Sequence, residues 1–224
     1  MTMKEFLVYL VTIGGIILIG ALAEGHPGRL DEFGGHYDKR TGEYHLHRTG
    51  LPTLEIRRDT IYKAHIERVI DGDTAVVSFI MGDGTQYEKE RVRFLGLDTP
   101  EKGVDRIFDV GGEEYTQTEK AFMLYGNEAS DFTTRALTGR IVWLQTETEV
   151  KDMYGRMLAY VWTSEPTAED LEDENTIRAK MFNAKLLLEG QARLLTIPPN
   201  GRYTELFTKF LEEAKYALRG FWGS

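Results

Sequence analysis

Short segments with the composition of β-strands recur from about residue 59 onward, and they constrain the fold more than any other feature of the chain. Residues 86–97 also alternate charged and apolar residues, which is typical of a strand that buries one face. The segments are residues 61–69, 74–80, 86–97, 140–145 and 158–162. The run Met81-Gly82-Asp83-Gly84 predicts a hairpin turn after the second segment. We therefore expect five short strands.

Three other segments show helical periodicity instead. They are residues 125–137 before Gly139, residues 183–189 before Gly190, and residues 206–218 near the C-terminus. Helices after the third and the fifth strand predict an α+β fold, in which a five-stranded β-barrel of the OB type packs against three helices. This barrel often carries nucleic-acid sites, but a fold alone does not establish a function.

Two polar segments have no clear periodicity. Residues 102–119 contain three glycines and are expected to form a surface loop. Residues 165–174, with the sequence EPTAEDLEDE, are expected to form a solvated acidic loop.

Residues 6–23 form an uncharged apolar run that follows Lys4. Ala21-Leu22-Ala23 has the small-x-small form that signal peptidases accept, which predicts a cut before Glu24. The run is also long enough for an uncleaved membrane anchor. Both alternatives predict an extracytoplasmic protein. The resulting organisation is a signal or anchor at 1–23, a His-rich segment at 24–57 and a globular domain at 58–224.

The net charge of −9 argues against a protein that coats nucleic acid through a broad basic face. It does not argue against an enzyme in which a few arginines and a metal ion act locally. The absence of cysteine excludes disulfides and thiolate metal sites.

Three clusters carry groups suited to chemistry: Asp71-Gly72-Asp73-Thr74, residues 93–101 and residues 152–156. Each has an ordinary structural explanation when it is considered alone, as a turn, a helix start or a solvated arginine. Together they supply three acidic side chains, Asp73, Asp98 and Glu101, and two guanidinium groups. Carboxylates bind a hard divalent cation, and arginines complement phosphate oxygens. This inventory is typical of phosphodiester hydrolysis.

The sequence resembles the staphylococcal nuclease, or thermonuclease, family over about residues 60–222. The matching strings, in order, are VIDGDT (69–74), VRFLGLDTPE (92–101), YGNEASDFT (125–133), DMYGRMLAY (152–160) and NAKLLLEGQA (183–192). The family has a five-stranded OB-type barrel with three helices. The resemblance implies a calcium-dependent nuclease that hydrolyses DNA and RNA, prefers single strands and leaves 3′-phosphate ends.

The resemblance also implies a role for each matching residue. Asp73 and Asp98 would bind Ca²⁺ through their carboxylates and Thr99 through its carbonyl. Glu101 would hold the attacking water as general base, and Arg93 and Arg156 would bind the scissile phosphate. In addition, Asp71 would orient water near the metal and Tyr154 would line the nucleotide pocket. Oxygen ligands also suit Mg²⁺ and Mn²⁺, so the sequence leaves the cation partly open.

Two features depart from the family. A tyrosine that stacks on the base is common near residues 194–199, where this chain has Thr196 among aliphatic residues and prolines. Base stacking contributes about 1–3 kcal/mol per base, so nucleotide affinity is expected to differ. The segment 102–119 is also longer than in the family.

The segment 36–47, HYDKRTGEYHLH, predicts a hairpin with Thr41-Gly42 at the turn. It resembles short YHYH-type modules of bacterial exported proteins. His45 and His47, with His36 or Asp38, form a possible Zn²⁺ site. A hairpin that binds nothing is the alternative.

Two other function classes remain open. One is a non-catalytic nucleic-acid-binding module on the same barrel, and the other is a surface-tethered metal-binding protein centred on the histidines. The sequence does not predict an oligomeric state.

Overall fold

A computed structural model describes residues 35–37, 44–46, 51–103 and 116–223 of the chain. Its centre is a closed barrel of five strands. The strands are β3 (Ile61–Asp71), β4 (Thr74–Phe79), β5 (Glu90–Phe94), β7 (Ile141–Gln145) and β8 (Met157–Trp162). The five predicted strands and the OB-type barrel are therefore confirmed, although the third strand is shorter than the segment 86–97.

The barrel closes through one parallel pair. Strands β3, β4 and β5 pair antiparallel in sequence order, and β7 pairs antiparallel with both β3 and β8. Strand β5 then pairs parallel with β8, with Val92 opposite Met157 and Arg93 opposite Leu158. The chain segments that contain Arg93 and Arg156 are therefore neighbours, although they are far apart in the sequence.

The described part of the chain has five α-helices in three regions. They are α1 (Gln117–Leu124), α2 (Gly126–Leu137), α3 (Glu174–Lys180), α4 (Phe182–Leu188) and α5 (Thr204–Tyr216). The three predicted helices correspond to α2, α4 and α5. A single residue, Tyr125 or Met181, separates α1 from α2 and α3 from α4, so two of the three helical regions are longer than predicted. No helix in the described residues is both long and apolar enough to span a bilayer.

Two predicted loops, 102–119 and 165–174, end earlier in the structure than predicted. Helix α1 begins inside the predicted loop 102–119 because Thr116 accepts a hydrogen bond from the Glu119 backbone while the Glu119 carboxylate accepts one from Thr116. This reciprocal capping stabilises a helix start. Similarly, the acidic loop ends one residue early, because Asp173 caps α3 by accepting a hydrogen bond from Thr176. Residues 104–115 lie outside the described residues.

The hydrophobic core fills the barrel and continues between the barrel and the helices. Phe94, Tyr160 and Trp162 are among its largest buried side chains. Each aromatic side chain of this kind contributes about 1.5–3 kcal/mol by burial. Trp162 donates a hydrogen bond from Nε1 to Gln145 at 2.8 Å, which satisfies its buried polar atom. The core therefore fixes the barrel on which the polar clusters sit.

A second, two-stranded sheet lies beside the barrel. It pairs β6 (Leu97–Asp98) with β9 (Arg193–Leu194), so that Asp98 faces Arg193. This pair was not predicted, and it brings a distant segment of the chain to the DTPE cluster.

In the N-terminal region, β1 (Gly35–Tyr37) pairs antiparallel with β2 (Tyr44–Leu46), and His36 lies opposite His45. The two strands of the predicted hairpin are therefore present and paired. The apolar run 6–23, His47 and the turn at Thr41-Gly42 lie outside the described residues.

Candidate active site

Asp73 lies in the two-residue turn between β3 and β4, since Asp71 pairs with Thr74 across this hairpin. Its side chain is fully buried and accepts four hydrogen bonds. Thr99 donates two of them, from its backbone N at 2.7 Å and its Oγ1 at 2.9 Å, while Thr74 donates one at 3.0 Å. The fourth comes from Arg93. A buried carboxylate with this many donors is held in one orientation.

Arg93 connects two of the predicted acidic residues. It extends from β5, and its Nη1 pairs with Asp73 while its Nη2 lies 2.8 Å from Asp98 Oδ1. Only 10% of the Arg93 side chain is exposed. One cation is thus shared by two carboxylates from different elements, the β3–β4 turn and β6. The structure brings Asp73, Asp98, Thr99 and Arg93 together.

Close backbone packing holds the two turns against each other. A Cβ added at Gly72 would lie 2.7 Å from Thr99 Oγ1, so only glycine fits there without a shift. From α2, Thr133 donates a hydrogen bond of 2.7 Å to the Gly72 carbonyl. The first residue of the same helix, Gly126, lies so close to the Glu101 carbonyl that a Cβ would stand 2.0 Å away. Helix α2 therefore supports both acidic turns.

Arg156 is positioned within its own turn, just before β8. Asp152 accepts hydrogen bonds from the Arg156 Nε at 2.7 Å, the Arg156 backbone N at 2.9 Å and the Tyr154 backbone N at 2.9 Å. The guanidinium carbon lies 5.4 Å from the centre of the Tyr154 ring. Tyr154 is 68% exposed, so this turn presents an aromatic face and a cation to solvent.

Asp71 links the two arginines electrostatically. Burial raises the pKa of its carboxyl group above the ordinary value, whereas hydrogen bonding by Thr74 and the charges of Arg93 and Arg156 act in the opposite direction. Both guanidinium groups are therefore close enough to influence the same carboxylate. Irregularities in the pairing of β3 with β4, between Ile66 and Arg68 and between Val69 and Asp71, shape the strand end that carries Asp71.

No group of three histidine or acidic side chains stands ready to hold a metal ion among the described residues. Asp73 and Asp98 point instead at the guanidinium of Arg93, and Glu101 is exposed. The donor types nevertheless fit a hard divalent cation, because Asp73 and Asp98 supply carboxylate oxygens, the ligands that such ions prefer.

Sequence reasoning missed three residues that shape the site. Asp152 orients Arg156, Thr133 anchors the Asp71–Thr74 turn, and Arg193 pairs with Asp98. Asp152 was detectable, because it lies four residues before Arg156 in a glycine-containing turn. The other two act across long sequence separations, which a local pattern does not reveal.

Comparison with known proteins agrees with this geometry. The family model described as "Staphylococcal nuclease homologue" matches residues 91–224. A thermonuclease of Staphylococcus intermedius is 38% identical over 157 residues, which cover 70% of this chain and 74% of that protein. A thermonuclease of Staphylococcus hyicus is 35% identical over 157 residues, covering 70% and 73% respectively.

A third relative extends further along the chain. Endonuclease YncB of Bacillus subtilis (strain 168) is 25% identical over 229 residues, which cover 98% of this chain and 92% of that protein. The three relatives named here are all nucleases by name, and the family model covers the segments that contain Arg93, Asp98 and Arg156. This chain belongs to the staphylococcal nuclease family.

Proposed function

We propose that this protein is a calcium-dependent nuclease that hydrolyses phosphodiester bonds in DNA and RNA and leaves 3′-phosphate ends. One observation carries the proposal: the guanidinium of Arg93 contacts both Asp73 and Asp98, and the pairing of β5 with β8 brings the segment of Arg156 beside that of Arg93. Two arginines and a set of carboxylates at one end of a barrel match the chemical needs of a phosphodiester substrate. The nuclease relatives support the same reaction class.

Asp73, Asp98 and the Thr99 carbonyl are the proposed calcium ligands, and Asp71 orients water beside them. When bound, the divalent cation supplies charge neutralisation and polarisation of a phosphate oxygen. With a cation at the two carboxylates, the Nη groups of Arg93 would bind a phosphate, and Arg156, oriented by Asp152, would donate to the same phosphate.

The hydrolytic step is assigned to Glu101. The exposed carboxylate takes a proton from a water molecule, which attacks phosphorus as the bond to the 5′ oxygen breaks. The leaving oxygen takes a proton from solvent and becomes a 5′-hydroxyl, Glu101 returns its proton to solvent, and the phosphate stays on the 3′ side. Arg93 and Arg156 stabilise the additional negative charge of the transition state. Tyr154, exposed beside Arg156, contacts the nucleotide.

A cleavage assay on the full chain tests this proposal. Heat-denatured DNA, native DNA and RNA are incubated with purified protein in the presence of EDTA, Ca²⁺, Mg²⁺ or Mn²⁺. We expect cleavage with Ca²⁺, faster on single strands, no cleavage with EDTA, and ends that accept a 3′ label only after phosphatase treatment. The variant Glu101→Gln serves as the control for a contaminating nuclease. Binding without cleavage would instead establish a non-catalytic nucleic-acid-binding module.

The histidine hairpin remains a separate proposal. The register that places His36 opposite His45 supports a zinc site that also includes His47. Calorimetric titration of the full chain with Zn²⁺ tests it. Equal heats for the wild type and for His36→Asn/His45→Asn would refute zinc binding at this hairpin, and with it a metal-binding role for that segment.

Export is proposed from the apolar run 6–23, either as a cleaved signal or as an anchor in the membrane. N-terminal sequencing of the protein from the producing cells distinguishes the two, since a cleaved signal leaves Glu24 as the first residue. Intact protein in the cytoplasm would contradict both.

A further inference from the structure

Arg193 is a third guanidinium at the acidic cluster, and it is rigidly held. It lies on β9 directly opposite Asp98 on β6. Its Nε and Nη2 lie 3.0 Å and 2.8 Å from Asp98 Oδ2. These two contacts use one edge of the guanidinium, so the edge that carries Nη1 is not needed for the pair.

An aromatic ring supports the same group from a different element. The Arg193 guanidinium carbon lies 4.3 Å from the centre of the Phe122 ring on α1. Phe122 packs in turn against Phe221, with ring centres 5.1 Å apart. Despite these contacts, 53% of the Arg193 side chain is exposed. Arg193 therefore combines a fixed orientation with access to solvent, which reduces the entropy lost when a ligand binds.

Asp98 separates Arg193 from Arg93. Its Oδ1 receives Arg93 Nη2 at 2.8 Å, and its Oδ2 receives Arg193. The two guanidinium groups thus lie on opposite sides of a single carboxylate. Both guanidinium groups therefore lie within hydrogen-bond distance of the same carboxylate, one on each of its oxygens. A strand with one phosphate at Arg93 passes close to a second fixed cation at Arg193, which suits a neighbouring phosphate.

We propose that Arg193 forms a second phosphate subsite, which binds the phosphodiester adjacent to the scissile one in a polynucleotide substrate. This inference rests on the proposed function, since it places the scissile phosphate at Arg93 and Arg156. The subsite needs a phosphodiester next to the scissile one, so it favours longer strands over dinucleotides that contain a single phosphodiester. Because the chain carries a net charge of −9, its affinity for a polyanion depends on such local cations.

The first experiment measures equilibrium binding of a fluorescent single-stranded DNA oligonucleotide in EDTA over a range of NaCl concentrations. For Arg193→Gln we expect about 3–10-fold weaker binding, and a slope of log affinity against log salt that is smaller by about 0.7. The conservative variant Arg193→Lys retains a charge and is expected to keep most of the slope.

Arg202→Gln is the matched control. Arg202 also pairs with a carboxylate, Glu172 at 2.8 Å, and lies near an aromatic ring, Tyr203 at 5.9 Å, but it is not part of the acidic cluster. This variant loses the same charge from the protein and is expected to bind like the wild type. A salt slope that falls equally in both variants would overturn the proposal.

The second experiment compares cleavage of a dinucleotide with cleavage of an octanucleotide. The loss of kcat/KM caused by Arg193→Gln is expected to be about 3–10-fold greater on the octanucleotide. An equal loss on both substrates would show that Arg193 acts only by orienting Asp98, and no loss on either would exclude any role. If the wild type neither binds nor cleaves nucleic acid, the proposed function itself is wrong.

Circular dichroism and thermal melting of each variant provide the folding check. If Arg193→Gln does not fold, Arg193→Lys decides the question. Lysine keeps the charge but cannot hold Asp98 and a phosphate with two edges of one group, so its preference for the octanucleotide is expected to be weaker than that of the wild type. A preference identical to that of the wild type would contradict a phosphate site built on the free edge of Arg193.

Discussion

The two arginines proposed to bind the scissile phosphate are held in different ways. Arg93, whose side chain is 10% exposed, pairs with Asp73 and Asp98 from two separate turns. Arg156, 25% exposed, is oriented by Asp152 within the same turn. The first belongs to a long-range buried network and the second to a local motif. We therefore expect activity and stability to be coupled at Arg93 and largely separate at Arg156.

The largest effect is expected for Arg93→Gln. It removes a phosphate donor and leaves the fully buried Asp73 without its cation. Activity should fall about 10²–10³-fold, and the free energy of unfolding should fall by about 3–5 kcal/mol, as when one partner of a buried ion pair is removed. Cleavage rates and urea denaturation at pH 7 measure the two effects. An inactive variant with unchanged stability would contradict the coupling at Arg93.

Arg156→Gln should reduce activity without a comparable loss of stability. We expect a comparable loss of activity, about 10²–10³-fold, but a change in unfolding free energy below about 1 kcal/mol, because the pair is partly exposed and confined to one turn. Cleavage rates and urea denaturation at pH 7 again measure the two effects. A destabilisation as large as that of Arg93→Gln would show that the turn is part of the buried network.

Gly72→Ala tests the scaffold that holds the buried network. The new methyl group would meet Thr99, which donates two hydrogen bonds to Asp73. Overpacking of this kind costs about 1–3 kcal/mol, and activity should fall because Asp73 and Thr99 shift together. Gly82→Ala, where a Cβ meets no atom within 4 Å, is the control. Equal stability of the two variants would argue against a tight contact between the turns.

The smallest effect on stability is expected for an ion pair between two helices, outside the candidate active site. Glu213 on α5 pairs with Arg178 on α3 at 2.7 Å, and this hydrogen bond lowers the pKa of Glu213 below its ordinary value of 4.5. The pair therefore stabilises the fold above pH 4.5, and this contribution disappears as the pH falls through the lowered pKa.

Glu213→Gln should thus cost at most about 1 kcal/mol at pH 7, since both side chains are about one-third exposed. The difference from the wild type should shrink in urea denaturation series at acid pH. Glu212→Gln, which affects an exposed pair with Lys215, is the control. A difference that grows as the pH falls would show that the pair does not act through the ionised carboxylate.

The strands and the main helices were predictable because their signals are local. Glycine and acidic residues mark the turn between β3 and β4, and Gly139 marks the end of α2. Helix α1 was missed although its signal is also local, namely the capping pair of Thr116 and Glu119. The glycines of residues 102–119 led us to predict a loop that includes this capping pair.

The contacts within the site were less predictable. Strands β6 and β9 have two residues each, too few for a period to be visible, and their pairing places Arg193 opposite Asp98 across 95 positions in the sequence. The sharing of Arg93 by two carboxylates likewise depends on how two turns pack. Residue types and spacing identified Asp73, Asp98 and Arg93 as candidates for one site, whereas the contacts among them depend on how distant segments pack.

The parallel pair of β5 and β8 has a consequence for engineering. Neighbouring strands lie about 4.7–4.9 Å apart, and Val92 is aligned with Met157. The distance between the main chains of Arg93 and β8 is therefore set by the hydrogen bonding of the two strands. Substitution of nearby side chains leaves this distance unchanged. To move Arg93 relative to Arg156, a designer would have to change the register of β5 against β8.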